Sequence, residues 1–186
     1  MNGPQHLLVL MSIVLGLAIR ELLVGLRVSA PLIRDKTVGI LPLAAGLLVL
    51  IIIVQFWWYL YGVSQNAGWT LNFFLFAAVF FRAALLFLSA SSVFPTLVAG
   101  RPPGEHYMHN RGWIYVPILI YEGQNLAESA YRLETLLHPA HLFHLIFMLL
   151  ALIAAVSSRP RVHIWVLGLG YLLFLVFVAA FNLRLY

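Results

Sequence analysis

The sequence predicts an all-α fold, a polytopic bundle of six transmembrane helices, and three observations carry the prediction. Hydrophobic residues make up 63% of the chain and charged residues only 9%, a balance that no water-soluble core of this size requires. The apolar residues fall in runs of about 20, the length a helix needs to cross the hydrocarbon. The runs do not alternate polar with apolar as barrel strands would, so helices must satisfy the backbone inside the lipid.

The spans are predicted at residues 7–28, 38–62, 70–98, 112–131, 139–157 and 163–184, within a single domain covering 1–186. The first is read as a retained helix. Val28-Ser29-Ala30 resembles a small-residue cleavage box, but no Lys or Arg precedes the apolar run, and Arg20, Glu21 and Arg27 interrupt it. The third is expected to end near Pro95. The fifth starts at Pro139, because proline at a first helical position loses no needed hydrogen bond. The fourth is the least apolar: its clean stretch runs only from Trp113 to Tyr121 before Glu122, Gln124, Asn125 and Glu128 intervene. An interfacial or re-entrant segment is the competing reading.

Charge distribution decides for six crossings. With six spans, Arg27, Arg34, Lys36, Arg101, Arg111, Arg159 and Arg161 share one side, opposite Arg132 and Arg184. Lys and Arg accumulate in cytoplasmic loops, so the chain is expected to be multi-pass in a cell inner membrane with both termini on the non-cytoplasmic side. Trp57, Trp58, Tyr59, Tyr61 and Trp69 would form an outer aromatic belt, with Trp113, Tyr115 and Trp165 at the inner boundary. Small residues at Ser12, Gly16, Ala44 to Gly46, Ala83, Ala84, Ser89 to Ser92, Gly168 and Gly170 are expected packing positions.

Composition also excludes several chemistries. The formal charge of +5 is spread through short loops without interleaved aromatics, so nucleic acid is not an expected partner. With no cysteine in the chain, disulfides, thiolate nucleophiles and iron–sulfur clusters are ruled out. No nucleophile elbow, phosphate loop, His-Glu-x-x-His or dinucleotide fingerprint occurs, so nothing nominates an enzyme.

An ionisable group inside a span is expensive and is a site hypothesis by default. Arg82 is expected about 18 Å from the outer end of the third helix and Glu122 about 15 Å from the inner end of the fourth, at 1.5 Å per residue. Similar depth predicts an ion pair, direct or through a neighbouring polar group. Such a pair either fixes helix register or lines a polar pathway. Pro117 and Gly123, expected to break the fourth helix, favour the pathway, as does a stripe of Glu122, Asn125, Glu128 or Arg132 on one face. Arg20 and Glu21 point about 100° apart and are expected to meet different neighbours, with Arg20 snorkelling. Gln55 and Asn72 read as interhelical hydrogen-bonding groups.

His138, His141 and His144 recur every three residues behind Glu134. They are weak candidates for metal or haem ligation, since Pro139 disfavours an earlier helix start; no cofactor is expected. His106 and His109 lie in the hydrophilic segment from Arg101 to Arg111, read as a solvated connection.

Ser12 to Leu26, Gln55-Phe56-Trp57-Trp58, Trp69-Thr70-Leu71-Asn72 and Val93-Phe94-Pro95 resemble a group of small bacterial inner-membrane proteins without an assigned function. That resemblance implies a bacterial membrane location and no chemistry. A fainter similarity is to the six-helix subunit of bacterial potassium channels related to the lysosomal one, through a Ser-containing first helix and the Phe-Trp pair. That family's Phe-Ser-Asp signature is missing and its termini lie inside the cell, so no pore residue is carried over. The functional expectation is a non-enzymatic membrane protein, homo-oligomeric or joined to partner subunits, that forms or contributes to an ion or small-solute pathway. The alternative is an accessory subunit of a larger membrane complex.

Overall fold

The computed structural model describes residues 3–32, 39–64, 72–95, 102–133 and 138–182. Six α-helices account for nearly all of them: α1 Gly3–Ser29, α2 Ile40–Ser64, α3 Phe73–Val93, α4 Pro103–Leu133, α5 Pro139–Val156 and α6 Pro160–Phe177. A 3-10 turn, Ala30–Leu32, closes α1, and a π-helical turn, Val178–Asn182, follows α6. No strand occurs among the described residues.

Local chemistry explains several boundaries. Asn72 caps α3 by accepting the Leu75 backbone N–H at 2.9 Å, so this helix begins later than the expected residue 70. It also ends before residue 98: Phe94 precedes proline and adopts extended φ −111°, ψ 149°, as a residue in that position must to avoid the ring. The proline-led starts of α5 and α6 follow the same logic at Pro139 and Pro160.

The fourth helix departs most from expectation. It begins at Pro103 rather than 112 and runs unbroken through Pro117 and Gly123 to Leu133. The segment read as a solvated loop is therefore largely helical: Pro103 supplies the preset φ of a first turn and Glu105 an acid beside the positive helix end. Neither Pro117 nor Gly123 breaks the helix.

Five of the helices, all but α4, are long and apolar enough to cross a membrane. The chain is therefore a multi-pass membrane protein in composition and architecture. α2 packs against α1, α3, α4 and α6, while α1, α3, α4, α5 and α6 follow one another around it. The reason is in its sequence: α2 is apolar on all sides, and half of its apolar window is buried, as suits a helix enclosed by others. α4 lies antiparallel between α3 and α5. His106 near its start meets the Ser92 carbonyl at the end of α3, and Gly123 midway faces Met148 of α5.

Lipid-facing surfaces are apolar, with Ile13, Leu17, Val54, Leu142, Leu149, Leu172 and Leu175 all exposed on the isolated chain. Trp57, Trp58, Tyr61, Trp113 and Trp165 are exposed as boundary anchors would be, but Tyr115 is buried. Trp69, Arg34, Lys36, Arg101 and Arg184 lie outside the described residues.

Two glycines fix how α1 and α2 meet the end of α3. A Cβ on Gly25 would sit 2.4 Å from the Phe94 Cβ, and one on Gly46 would sit 2.8 Å from its ring. Phe94 thus wedges between α1 and α2 at a distance only glycine permits, whereas Gly16 and Gly168 face open space. Gly25→Ala should destabilise the bundle by about 1–3 kcal/mol, the usual cost of overpacking, and Gly16→Ala should leave stability unchanged or slightly raised. Thermal melts in detergent check this; equal melts for the two variants would remove the wedge.

Candidate functional site

Two polar clusters meet on α4. In the first, Arg82 of α3 reaches α4, as expected from its depth in the third helix, but the carboxylate it finds is Glu128 rather than Glu122. Arg82 Nη1 donates to Glu128 Oε2 at 2.5 Å, and Nη2 donates to the Gln124 carbonyl at 3.1 Å. Tyr59 of α2 donates its hydroxyl to the other oxygen of Glu128. The side chains of Arg82 and Glu128 are 7% and 21% exposed, so the pair is shielded on most sides.

Side-chain direction explains the exchange of partner. A long side chain leans toward the N-terminus of its own helix. On α3 that direction leads toward the C-terminal half of the antiparallel α4, past Glu122 toward Glu128. Glu128 leans back to meet it. Glu122, about 120° around the helix at 100° per residue, faces α5 instead.

There the second cluster forms. Glu122 is 6% exposed, and His144 of α5 meets its Oε2 through Nδ1 at 2.8 Å. Beside this pair lies a cavity of about 30 Å³, lined by polar Gln55, Tyr121 and Asn125 and roofed by Phe143, Phe147, Phe174 and Phe177. That volume is of the order of one or two water molecules. The Phe177 ring lies 5.9 Å from the His144 ring, at the point where α6 passes into its π-helical turn. Single π turns recur at functional sites.

The remaining expected residues are not brought to this centre. Arg20 and Glu21, expected to meet different neighbours, instead pair with each other at 2.7 Å on the outside of α1, with side chains 65% and 39% exposed. Both lie on the face that α2 and α3 leave uncovered, so the pairing closes over one residue step. His138 caps α5, accepting the Ala140 N–H at 3.2 Å, and its ring lies 6.0 Å from that of His141. With His144 turned to Glu122, the three histidines do not converge, and no cluster of three ligands for a metal exists among the described residues. Glu134 and the Arg132 side chain lie outside the described residues.

One buried network escaped sequence reasoning. Tyr107 and Tyr115 of α4 share a hydrogen bond of 2.6 Å, and the Tyr107 hydroxyl lies 2.8 Å from His163 Nδ1. His163 Nε2 sits 2.9 Å from the Ser157 carbonyl, which only accepts, so Nε2 carries a proton. In the neutral ring Nδ1 then accepts from Tyr107, and Tyr107 accepts from Tyr115. This chain ties the first turns of α4 to the α5–α6 turn.

No protein-family model matches the chain, and neither do curated proteins or solved structures. The family resemblance therefore rests on the sequence residues alone, and the site must be read from its own geometry.

The Arg82–Glu128 cluster is suited to hold helices in register. Arg82→Met and Glu128→Leu should each cost about 3 kcal/mol, because each strands the other charge in the bundle. The double variant should recover part of that loss. Denaturant titrations in detergent measure the coupling; strictly additive losses would mean that the two residues do not act as a pair.

Proposed function

We propose that the chain forms or contributes to an ion or small-solute pathway across the membrane, and that the species handled at its centre is the proton. The observation that supports this most is the Glu122–His144 pair beside a water-sized cavity that Gln55, Tyr121 and Asn125 also line. A carboxylate and an imidazole at 2.8 Å share one proton in either of two arrangements, as carboxylate with imidazolium or as carboxylic acid with imidazole. A cavity of about 30 Å³ matches one or two water molecules. It has room for the water that relays a proton between side chains.

In this reading Glu122 and His144 take up and release the proton. Asn125, Gln55 and Tyr121 orient water, and Arg82 with Glu128 holds α3 and α4 in register. Arg20 and Glu21, on the outer surface, take no part. The chain sits in an inner membrane with both termini on the non-cytoplasmic side, the arrangement that the Lys and Arg distribution supports.

One observation favours the second reading, an accessory subunit of a larger assembly. The Arg20–Glu21 pair stands on an otherwise apolar outer face of α1, and charges there are better accommodated against protein than against lipid. Native mass spectrometry in mild detergent separates the readings: a constant heterologous partner supports the accessory role.

Vesicles reconstituted with the protein and loaded with a pH-sensitive dye test the first reading. Glu122→Gln keeps the shape but cannot exchange a proton, and should cut potential-driven proton flux by roughly tenfold or more. Arg20→Gln should leave flux unchanged. Flux that is insensitive to Glu122→Gln, or no flux above protein-free vesicles, would contradict the proposal.

A further inference from the structure

At the opposite end of α4 from Glu128, a second concavity opens at the bundle surface. His109, Arg111, Gly112, Trp113 and Val116 of α4 and Ala155 near the end of α5 line a groove of about 430 Å³. Its size is that of a small-molecule site. Two of its lining residues, His109 and Arg111, carry nitrogen donors, none is acidic, and the rest form an apolar wall.

Arg111 lines the groove, and its Nη1 donates to the Met108 carbonyl at 2.7 Å, which anchors the guanidinium at the groove wall. A guanidinium has five N–H donors in a fork that matches phosphate oxygens. The turn that follows Ala155 adds the exposed Arg159 and Arg161. Glu105, exposed one turn before His109 on α4, is the nearby acid in sequence and does not line the groove.

Depth decides what kind of anion fits. The groove lies where α5 ends, beside Trp113, which is 68% exposed; indole rings favour the headgroup level of a bilayer. The apolar wall of Trp113, Val116 and Ala155 would give a soluble phosphate nothing, but it matches the start of an acyl chain. Basic pockets between spanning helices are suited to anionic headgroups for this reason.

We propose that this groove binds an anionic phospholipid, with the headgroup phosphate on Arg111 and His109 and an acyl chain against Val116 and Ala155. The site is independent of the Glu122–His144 centre. It would also secure the long N-terminal extension of α4 at the membrane surface.

Native mass spectrometry of the delipidated protein, titrated with phosphatidylglycerol and with phosphatidylcholine of the same acyl chains, tests this. Phosphatidylglycerol should bind and phosphatidylcholine should bind markedly less. Arg111→Gln should weaken phosphatidylglycerol roughly fivefold, the effect of removing one basic contact near a membrane surface. Ala155→Trp, which fills the groove and leaves every charge in place, should weaken it as well and serves if Arg111→Gln fails to fold. Equal binding of the two lipids, or unchanged affinity in the variants, would overturn the proposal. Displacement of the lipid by millimolar inorganic phosphate would also overturn it, in favour of a soluble phosphate site.

Discussion

α4 carries two largely buried carboxylates, and each has to be met by a partner from another helix. Glu122 and Glu128 leave the helix on different faces, so one neighbour cannot serve both. Arg82 and Tyr59 meet Glu128 from α3 and α2, while His144 meets Glu122 from α5. The least apolar helix of the bundle is therefore the one tied to the most partners by polar contacts. Hydrophobic burial provides little preference among helices inside lipid, and directional contacts of this kind supply the specificity that burial cannot.

The surrounding architecture follows from that constraint and from α2. An apolar helix with no polar face has no reason to prefer an edge position, and α2 takes the centre. α4 must place one carboxylate toward α3 and the other toward α5, which holds it between them in the arc. The glycine contacts at Phe94 then draw α1 and α2 against the end of α3. Aromatic residues cover the water-sized cavity that results beside Glu122, with Phe177 at the end of α6 among them.

Much of the architecture was legible in the sequence because a spanning helix leaves a long signal. The five strongly apolar runs and the proline start at Pro139 need only local chemistry, whereas α6 begins at Pro160, three residues before the expected 163. The start of α4 was not legible in the same way. Residues such as His106, His109, Asn110 and Arg111 read as a loop by polarity, although Pro103 followed by Glu105 is a helix-start signature. Arg82, Glu122, Asn125 and Glu128 were identified as the polar residues of the interior, but which acid meets which base depends on the face each leaves and on the lean of long side chains. His144 was weighed as a metal ligand because of its spacing from His138 and His141, whereas the contact it makes is with a residue on another helix. The Tyr107–Tyr115–His163 network had no clear sequence signal: the two tyrosines lie about two turns apart on α4, but His163 is 56 residues beyond Tyr107, on α6.

The account stands on α4 crossing the membrane despite its polarity, with α3 and α5 on either side of it. The absence of cysteine makes the direct measurement clean: single cysteines at Pro102 and at His138, labelled in sealed vesicles by a membrane-impermeant maleimide. The account predicts that the two positions react from opposite faces of the membrane, with Pro102→Cys accessible from the cytoplasmic side. Labelling of both from the same face would place α4 on the surface, and the neutralised interior described above could not exist.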